Sequence, residues 1–414
     1  MKDQQIEKLI KAEEERQKSV INLVASENYV SADVLEALGS ILTNKYAEGY
    51  SNLRYYGGNE NIDKIEELCK ERALKLFGLD PAEWAVNVQP LSGSPANLAV
   101  YLALMPGDGK PHSAEAPRGK IMGMELSSGG HLTHGHKVSI SGKFWQQVPY
   151  DVNKETEQLD YDEIKEIALR EKPDIIVAGF TAYPRIIDFK KFREIVDAVE
   201  HPERERGTLL MVDMSHIAGL VATGEHPSPF PYADVVTTTT HKTLRGPRAG
   251  LIFSRIDERE LNKKIDKAVF PGIQGGPHAN QIAATAVALG EAMEPEFKTY
   301  IKQVIKNAQT LATELKNKGW RIVSGGTDNH LLLIDVWNNG NPSTSSGQPI
   351  AGREASDRLE KSGIIVNKNT IPFDIRGPVD PSGLRLGTAA ETTRGKKEED
   401  MIKIAEQIDQ ILRK

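Results

Sequence analysis

Two stretches decide the fold, TLLMVD at residues 208–213 and ADVVTTTTHKT at residues 233–243. Each begins with a continuous run of apolar and β-branched residues that lacks the in-and-out alternation of a half-exposed strand. The runs DIIVAG (174–179) and AGLIFS (249–254) have the same character. Continuous runs are typical of strands that are buried on both faces. Together they predict an α/β domain with a largely parallel sheet, in which ligands bind at the carboxyl ends of the strands.

The segments around these runs indicate the organisation of the chain. Residues 189–200 have the pattern of a helix that connects parallel strands. The N-terminus has only a narrow apolar stripe on a charged helix, whereas Met401, Ile404, Ile408 and Ile411 give the C-terminal helix a firm apolar face. We therefore expect an N-terminal arm (1–40), a large domain (41–290) and a smaller C-terminal α+β domain (291–414).

Composition excludes several classes of protein. The 414 residues carry 52 basic and 58 acidic side chains, a net charge of −6, so there is no basic footprint for nucleic acid. No apolar run approaches the roughly 20 residues of a membrane span, and the charged N-terminus does not resemble a signal peptide. The single cysteine, Cys69, excludes an internal disulfide and a cysteine-rich metal site. These features predict a cytoplasmic protein without a membrane or nucleic-acid partner.

Asp213 and Lys242 each follow a predicted strand, at the edge of the sheet where side chains reach a crevice. A lysine can form a Schiff base with a carbonyl cofactor, and a carboxylate can keep a pyridine nitrogen protonated. These are the two protein groups that a pyridoxal-phosphate site requires. From spacing alone, a surface lysine and a helix-capping aspartate are the more frequent occurrence, since both residue types are common.

The segment QPLSGSPAN (89–97) offers an anion site. Ser94 is a good N-cap and Pro95 suits the first position of a helix. Ser92, Gly93 and Ser94 would then present hydroxyl and N–H groups at the positive end of that helix, which favours a phosphate. An ordinary capped helix is the alternative.

Three histidines lie close together in HLTHGH, at positions 131, 134 and 136. Zinc is one interpretation, but no carboxylate stands at a ligand-like spacing. A flat imidazole stacked on a cofactor ring accounts for one of the three without a metal, and we predict no metal site.

The segment YAEGYSNLRYYGG (46–58) surrounds Glu48 with tyrosines. A carboxyl group among aromatic rings can serve in proton transfer, although a structural aromatic loop is the alternative. FPGIQGGP (270–277) offers further N–H groups to an anion. Arg385, in GLRLGT, can form a bidentate pair with a substrate carboxylate, or it is a surface charge.

Taken together, these segments resemble the serine hydroxymethyltransferase family. The resemblance covers essentially the whole chain in the same order, and VTTTTHKT followed by GPR is its most specific part. The matching stretches are LVASENY (23–29), LTNKYAEGY (42–50), RYYGG (54–58), GGHLTHG (129–135), VVTTTTHKTLRGPRAG (235–250), FPGIQGGP (270–277), VNKNTIPFD (366–374) and SGLRLGT (382–388).

The resemblance implies the fold-type I architecture of pyridoxal-phosphate enzymes, with an aspartate-aminotransferase-like large domain. It implies that Lys242 carries the cofactor as an aldimine, that Asp213 pairs with the pyridine nitrogen and that His131 stacks on the ring. His216 and Thr181 are expected near the phenolic oxygen. The expected phosphate-binding residues are Ser92, Gly93, Ser94, His241 and, from a neighbouring subunit, Gly276.

The resemblance also implies how substrates bind. Ser26, Tyr56 and Arg385 are expected to contact the amino acid, with Arg385 taking its carboxylate. Glu48 is expected to be the acid/base carboxyl, supplied with Tyr46 across a dimer interface. The expected folate contacts are Leu126, Gly130, Leu132 and Asn369.

The implied activity is reversible transfer of the serine hydroxymethyl carbon to tetrahydrofolate, which gives glycine and 5,10-methylenetetrahydrofolate, with side activity on other 3-hydroxy amino acids. The implied assembly is a homodimer, or a dimer of dimers, with a shared active site. Rival interpretations are a threonine aldolase-like enzyme, an α-methylserine-type transferase and a catalytically silent scaffold. The chain departs from the family pattern at Leu91, Ser127, Ser128, 377–379 and Ala389, and several of these departures are expected near the folate.

Overall fold

The computed structural model describes residues 1–105, 119–201, 207–337 and 349–414. The Asn- and Ser-rich stretch at 338–348, which the sequence predicts as a linker, lies outside the described residues. The sequence also predicts a loop at 107–120, of which 111–118 looks like an insertion relative to the family pattern, and residues 107–118 lie outside the described residues as well.

The helices and strands of the described residues have the following bounds. The α-helices are α1 (Gln4–Ser19), α2 (Ala32–Leu38), α3 (Glu60–Leu76), α4 (Gly93–Leu104), α5 (Ile140–Phe144), α6 (Tyr161–Glu171), α7 (Phe189–Ala198), α8 (Ala218–Thr223), α9 (Leu261–Lys267), α10 (Ala279–Glu291), α11 (Pro295–Asn317), α12 (Gly352–Lys361), α13 (Ala389–Thr393) and α14 (Glu398–Arg413). The strands are β1 (Ile21–Asn22), β2 (Gly49–Tyr50), β3 (Leu53–Arg54), β4 (Trp84–Asn87), β5 (Lys120–Met124), β6 (Gln146–Tyr150), β7 (Ile175–Ala178), β8 (Leu209–Asp213), β9 (Val235–Thr239), β10 (Gly250–Arg255), β11 (Arg321–Ile322), β12 (Leu331–Asp335), β13 (Ile364–Ile365), β14 (Asn367–Asn369) and β15 (Gly383–Gly387).

The chain divides into two compact units, and the larger is Tyr29–Lys302. Its sheet has the strand order β4-β10-β9-β8-β7-β5-β6. The five strands from β5 to β9 run parallel, and β10 is antiparallel to both of its neighbours. Every residue of β7 and β9 is buried, which is why the sequence runs are continuous rather than alternating. This confirms the predicted α/β fold with a largely parallel sheet.

The parallel arrangement gathers the predicted site residues of this unit at one edge of the sheet. β8 ends at Asp213 and is paired with β9, so that Asp213 lies opposite Thr237. β9 ends at Thr239, three residues before Lys242. Since both strands run in the same direction, the segments that follow them emerge at the same edge.

The smaller unit combines Met1–Asn28 with Gln303–Lys414. Its four-stranded antiparallel sheet has the order β11-β12-β15-β14. Met401, Ile404 and Ile408 of α14 are buried in its core, as their spacing predicts. β1 pairs in parallel with β13, which ties the N-terminal segment into this unit. α1, by contrast, buries none of its residues. The domain bounds given above from the sequence stay a prediction.

None of the described helices combines the length and the apolar character that a membrane crossing requires.

Candidate active site

The carboxylate of Asp213, at the edge of the large sheet, is bonded through both of its oxygens. One oxygen, Oδ2, accepts a hydrogen bond from Asn97 Nδ2 at 2.9 Å and contacts His134 Nε2 at 3.1 Å. The other, Oδ1, accepts from the hydroxyl of Ser215 at 2.6 Å and from its backbone N–H at 3.1 Å. Asn97, Thr133, His134, Asp213 and Ser215 are called the Asp213 cluster below.

Burial and bonding act on this carboxyl in opposite directions. Burial alone would raise the pKa of Asp213, but hydrogen bonds from His134 and Ser215 and the electrostatic interaction with His134 and His131 hold that pKa well below its usual range. The carboxylate is therefore ionised at neutral pH, although its side chain is only 10% exposed. A fixed negative charge in such a place suits a protonated ring nitrogen.

His131 belongs to the same hydrogen-bond network. Asn97 Nδ2 also donates to the hydroxyl of Thr133 at 2.9 Å, and this hydroxyl lies 2.6 Å from His131 Nδ1. The backbone N–H of Thr133 donates to the same nitrogen at 3.2 Å. His131 Nδ1 is therefore the acceptor, and the network assigns the ring proton to Nε2. The bonds hold the imidazole in one orientation, as a ring that stacks on a ligand requires.

Lys242 is joined to Asp213 through two residues. Its ammonium group donates to Thr239 Oγ1 at 2.9 Å. The backbone N–H of Thr239 donates to Ser215 Oγ at 3.1 Å, and Ser215 in turn bonds Asp213. The predicted amine and the predicted acid are thus parts of one bonded array.

The N-terminus of α4 contacts the same array. A Cβ atom on Gly93 would come within 2.7 Å of Thr239 Cγ2, so this approach requires glycine. The helix begins at Gly93 with Ser92 as its N-cap residue, whereas the sequence predicts Ser94 as the cap. That prediction is wrong by two residues, because Ser92 has extended backbone angles and Ser94 is already helical. The hydroxyls and the first N–H groups still share one helix end, as a phosphate site requires.

His241 is also suited to bind a phosphate. Its Nδ1 atom is buried and has no hydrogen-bond partner among the described residues. Burial lowers the pKa of His241 to about 3, with a further contribution from the positive charges of Lys242 and Arg248. A neutral imidazole with an unsatisfied nitrogen can bind a phosphate oxygen. An amine, an acid and this anion site are the three parts that pyridoxal phosphate requires, so the residues present fit this cofactor.

Thr181 links β7 to the loop that carries His131. Its backbone N–H and its hydroxyl are directed at carbonyls of Gly129 and Gly130, with the hydroxyl 3.0 Å from Gly130 O. His216 is buried, and its carbonyl lies 3.4 Å from Thr243 Oγ1. The predicted folate residues Leu126 and Leu132 flank this glycine pair, and Leu132 is 43% exposed. Thr181 therefore binds the backbone at the start of the loop that carries His131, which Leu126 and Leu132 flank in sequence.

A second group of predicted residues gathers around Glu48. The hydroxyl of Tyr46 donates to Glu48 Oε1 at 3.2 Å, and the rings of Tyr46 and Tyr56 meet edge to face at 5.1 Å. A Cβ atom on Gly276 would lie 3.3 Å from the Tyr46 ring. Residues 46–56, called the Glu48 loop below, thus lie against FPGIQGGP, and Tyr46 is 54% exposed.

The third group lies in the smaller unit. Arg385, on β15, donates from Nε to Asn367 Oδ1 at 3.0 Å. Burial lowers the pKa of Arg385 to about 10, so the guanidinium stays charged at neutral pH. The backbone N–H of Gly387 donates to Leu23 O at 2.8 Å, which brings the segment containing Ser26 alongside β15. Asn369 is on the neighbouring strand β14.

Sequence reasoning missed several of these contacts. The partners of Asp213 include Asn97, His134 and Ser215, none of which the sequence assigns to the acid. Only the spacing of Ser215, two residues after Asp213, is a local signal, because a side chain of this kind commonly bonds the backbone two residues on. Among the described residues, no group of three or more histidine, cysteine or carboxylate side chains is placed to hold a metal ion.

Comparison with known proteins gives two findings. The sequence model of the serine hydroxymethyltransferase family matches residues 1–408. The chain is also 53% identical over 411 residues to the serine hydroxymethyltransferase of Rickettsia akari (strain Hartford), an alignment that covers 99% of this chain and 90% of that relative.

Proposed function

Because the chain belongs to the serine hydroxymethyltransferase family, we propose that its reaction is divided among the Asp213 cluster with Lys242, the Glu48 loop and Arg385. The enzyme transfers the hydroxymethyl carbon of serine to tetrahydrofolate, and glycine and 5,10-methylenetetrahydrofolate result. It uses pyridoxal phosphate as cofactor and tetrahydrofolate as co-substrate. When bound, the cofactor supplies a ring that accepts the electron pair left at Cα when the Cα–Cβ bond of serine breaks.

Lys242 and Asp213 are the two residues that define the cofactor site. Lys242 supplies the amine that binds the cofactor aldehyde, and Asp213 keeps the ring nitrogen protonated. The observation that carries this assignment is the bonded path from Lys242 through Thr239 and Ser215 to a buried, ionised Asp213. His131 would stack on the ring, and His216 and Thr181 would contact its phenolic oxygen. The phosphate is held by Ser92, Gly93, Ser94 and His241.

Arg385 and Ser26 bind the amino-acid substrate. A buried guanidinium makes strong charge-assisted hydrogen bonds to a carboxylate, so Arg385 takes the carboxylate of serine. We assign Tyr56 to the amino-acid substrate as well. Glu48 holds and moves a proton on the substrate hydroxyl or on the folate. We assign Leu126, Gly130, Leu132 and Asn369 to the folate.

The active site is shared between the subunits of a homodimer, or of a dimer of dimers. Tyr46, Glu48 and Gly276 act on the neighbouring subunit in this arrangement. The support is an exposed apolar surface on and around the Glu48 loop, where Leu53 is 76% exposed and Tyr55 is 75% exposed. Such surfaces mark interaction sites. We place the enzyme in the cytoplasm, since its one cysteine, Cys69, is a buried free thiol.

Glycine formation from serine, measured with and without tetrahydrofolate, tests this function. We expect turnover of serine to depend on tetrahydrofolate. Other 3-hydroxy amino acids are expected to be cleaved slowly and without it. If the rate of serine turnover were the same with and without tetrahydrofolate, while 3-hydroxy amino acids were cleaved well, the aldolase interpretation would replace this one. Light scattering during gel filtration tests the dimer.

A further inference from the structure

The backbone on both sides of Glu48 is held by hydrogen bonds at three consecutive carbonyl groups. Arg54 Nη1 donates to Ala47 O at 2.9 Å and to Gly49 O at 2.6 Å. The carbonyl of Glu48 itself accepts from the N–H of Tyr55 at 3.0 Å. The position of the Glu48 Cα atom is therefore fixed, and its half-buried side chain lies beside Tyr46 and Gly275.

Arg54 is itself held by helix α3. Its Nε and Nη2 atoms form ion pairs with Asp63 and Glu66, each at 2.8 Å. The side chain of Arg54 is 4% exposed, and that of Glu66 is fully buried. A guanidinium has donors on a rigid planar fork, so it can bind two carboxylates and two carbonyls at once, whereas a lysine ammonium cannot reproduce this geometry.

Gln89, in the QPLSGSPAN segment, bonds two of the groups that Arg54 also bonds. Its Nε2 atom lies 3.0 Å from Gly49 O and 3.1 Å from Glu66 Oε2. Its carbonyl accepts from Gln274 Nε2 at 2.9 Å, and Gln274 belongs to the FPGIQGGP segment. The Glu48 loop, the segment before α4 and the FPGIQGGP segment are thus connected through Gln89 and Gln274.

We propose that Arg54, anchored by Asp63 and Glu66, is a positioning residue for Glu48. Arg54 contacts neither substrate nor cofactor in this proposal. It fixes the backbone from which the Glu48 carboxylate reaches the proton that it transfers. A displacement of about 1 Å in a reacting group can lower a rate about 100-fold. Weaker hydrogen bonds from Arg54 to the carbonyls of Ala47 and Gly49 are therefore expected to slow the proton transfer. The proposal rests on the proposed role of Glu48.

A double-mutant cycle with E48Q and R54K tests the proposal on the intact enzyme loaded with pyridoxal phosphate. We expect E48Q to lower kcat for serine about 100-fold, in the range of general acid–base catalysis. R54K is expected to lower kcat about tenfold in the wild-type background and to have no further effect in the E48Q background, since coupled residues are not additive. Cofactor absorbance and the melting temperature are measured for each variant.

R72K is the matched control. Arg72 donates to a helix carbonyl, Ala286 O, at 2.7 Å in the same unit, rather than to a carbonyl of the Glu48 loop. We expect R72K to leave kcat unchanged. If R54K does not fold, D63N replaces it in both backgrounds. Asp63 contacts Arg54 Nε and is partly exposed, so an approximately threefold fall in kcat is expected there alone.

The outcomes separate the two ideas. Normal turnover by E48Q would refute the proposed role of Glu48, and the positioning role would fall with it. A slow E48Q enzyme that R54K or D63N slows again, by the same factor as in the wild type, would leave Glu48 in place but overturn the positioning role of Arg54. If the double variant has the same kcat as E48Q alone, the positioning role of Arg54 is supported.

Discussion

Asp213 and Glu48 are both carboxylates of the proposed active site, but the protein holds them by different atoms. Asp213 is held by its side chain, which accepts hydrogen bonds from Asn97, His134 and Ser215 within a buried array. Glu48 is held by its backbone, and its half-buried side chain lies beside Tyr46. A group that must keep one charge benefits from fixed donors around it. A group that must exchange a proton needs a fixed position and an open carboxylate.

Replacing Lys242 breaks the buried array at its reactive end. We expect K242A to lower kcat for serine by about 1000-fold or more, because removal of a covalent catalytic group has effects of this size. Bound cofactor, measured by absorbance and by dialysis, should be held less firmly. K137A is the control, because Lys137 is an exposed lysine that directly follows the HLTHGH segment. A K242A enzyme with normal turnover would exclude Lys242 as the cofactor-binding amine.

Removing the charge of Asp213 tests the acid in the same array. D213N is expected to lower kcat about 100-fold, in the range observed when one fixed electrostatic group is lost. The matched control is D234N. Asp234 is also a buried carboxylate of this sheet, but it is paired with Arg193 and Arg259, at 3.0 and 2.8 Å, near the opposite end of β9. D234N should lower the unfolding temperature and leave kcat unchanged. An unchanged kcat in D213N would contradict the proposed role.

His134 tests whether the donors around Asp213 matter. H134F keeps a ring of similar size and removes one donor to the carboxylate. We expect kcat to fall about tenfold, since a hydrogen bond to a charged group contributes about 1.5 kcal/mol or more. H136F is the control, because His136 is partly exposed. A D213N enzyme made slower still by H134F would show that His134 acts elsewhere.

The same variant changes the dependence of stability on pH. The depressed pKa of Asp213 stabilises the fold above the unfolded-state value of about 4, and this contribution is lost as pH falls through the folded-state pKa. H134F raises that folded-state pKa. The free energy of unfolding, measured by urea denaturation, should therefore be lower at pH 7 and should fall less steeply in acid. An identical acid slope in both proteins would contradict the contribution of His134.

The smallest effect is expected in the Glu48 loop. Y46F removes the hydroxyl that donates to Glu48 but leaves the bonds of Arg54 to the neighbouring carbonyls. We expect kcat to fall only about threefold, because one exposed hydrogen bond contributes little. The hydrogen bond to Glu48 raises the pKa of Tyr46, so an E48Q variant should lower it in an ultraviolet titration. A loss in Y46F as large as that in E48Q would show that the side-chain contact, rather than the backbone, holds the carboxylate.

Local sequence patterns predicted the strands and helices well where apolar residues follow a regular pattern along the chain. The runs that became β7 to β10 are continuous because those strands are covered on both faces. The apolar spacing of Met401, Ile404 and Ile408 predicted the buried face of α14. The start of α4 was less predictable, since Ser92 and Ser94 are both good capping residues and the choice depends on the contact of Gly93 with Thr239.

The sequence by itself determined the α/β fold, the family and the placement of Asp213 and Lys242 at strand ends. Each of these features depends on short continuous segments of the chain. Only the tertiary structure decided that His134 and Asn97 bond Asp213 and that Arg54 holds the backbone around Glu48. The partners of Asp213 are 79 and 116 residues away along the chain. Hydrogen bonds of this kind depend on distance and direction in space, and a linear order of residues carries neither.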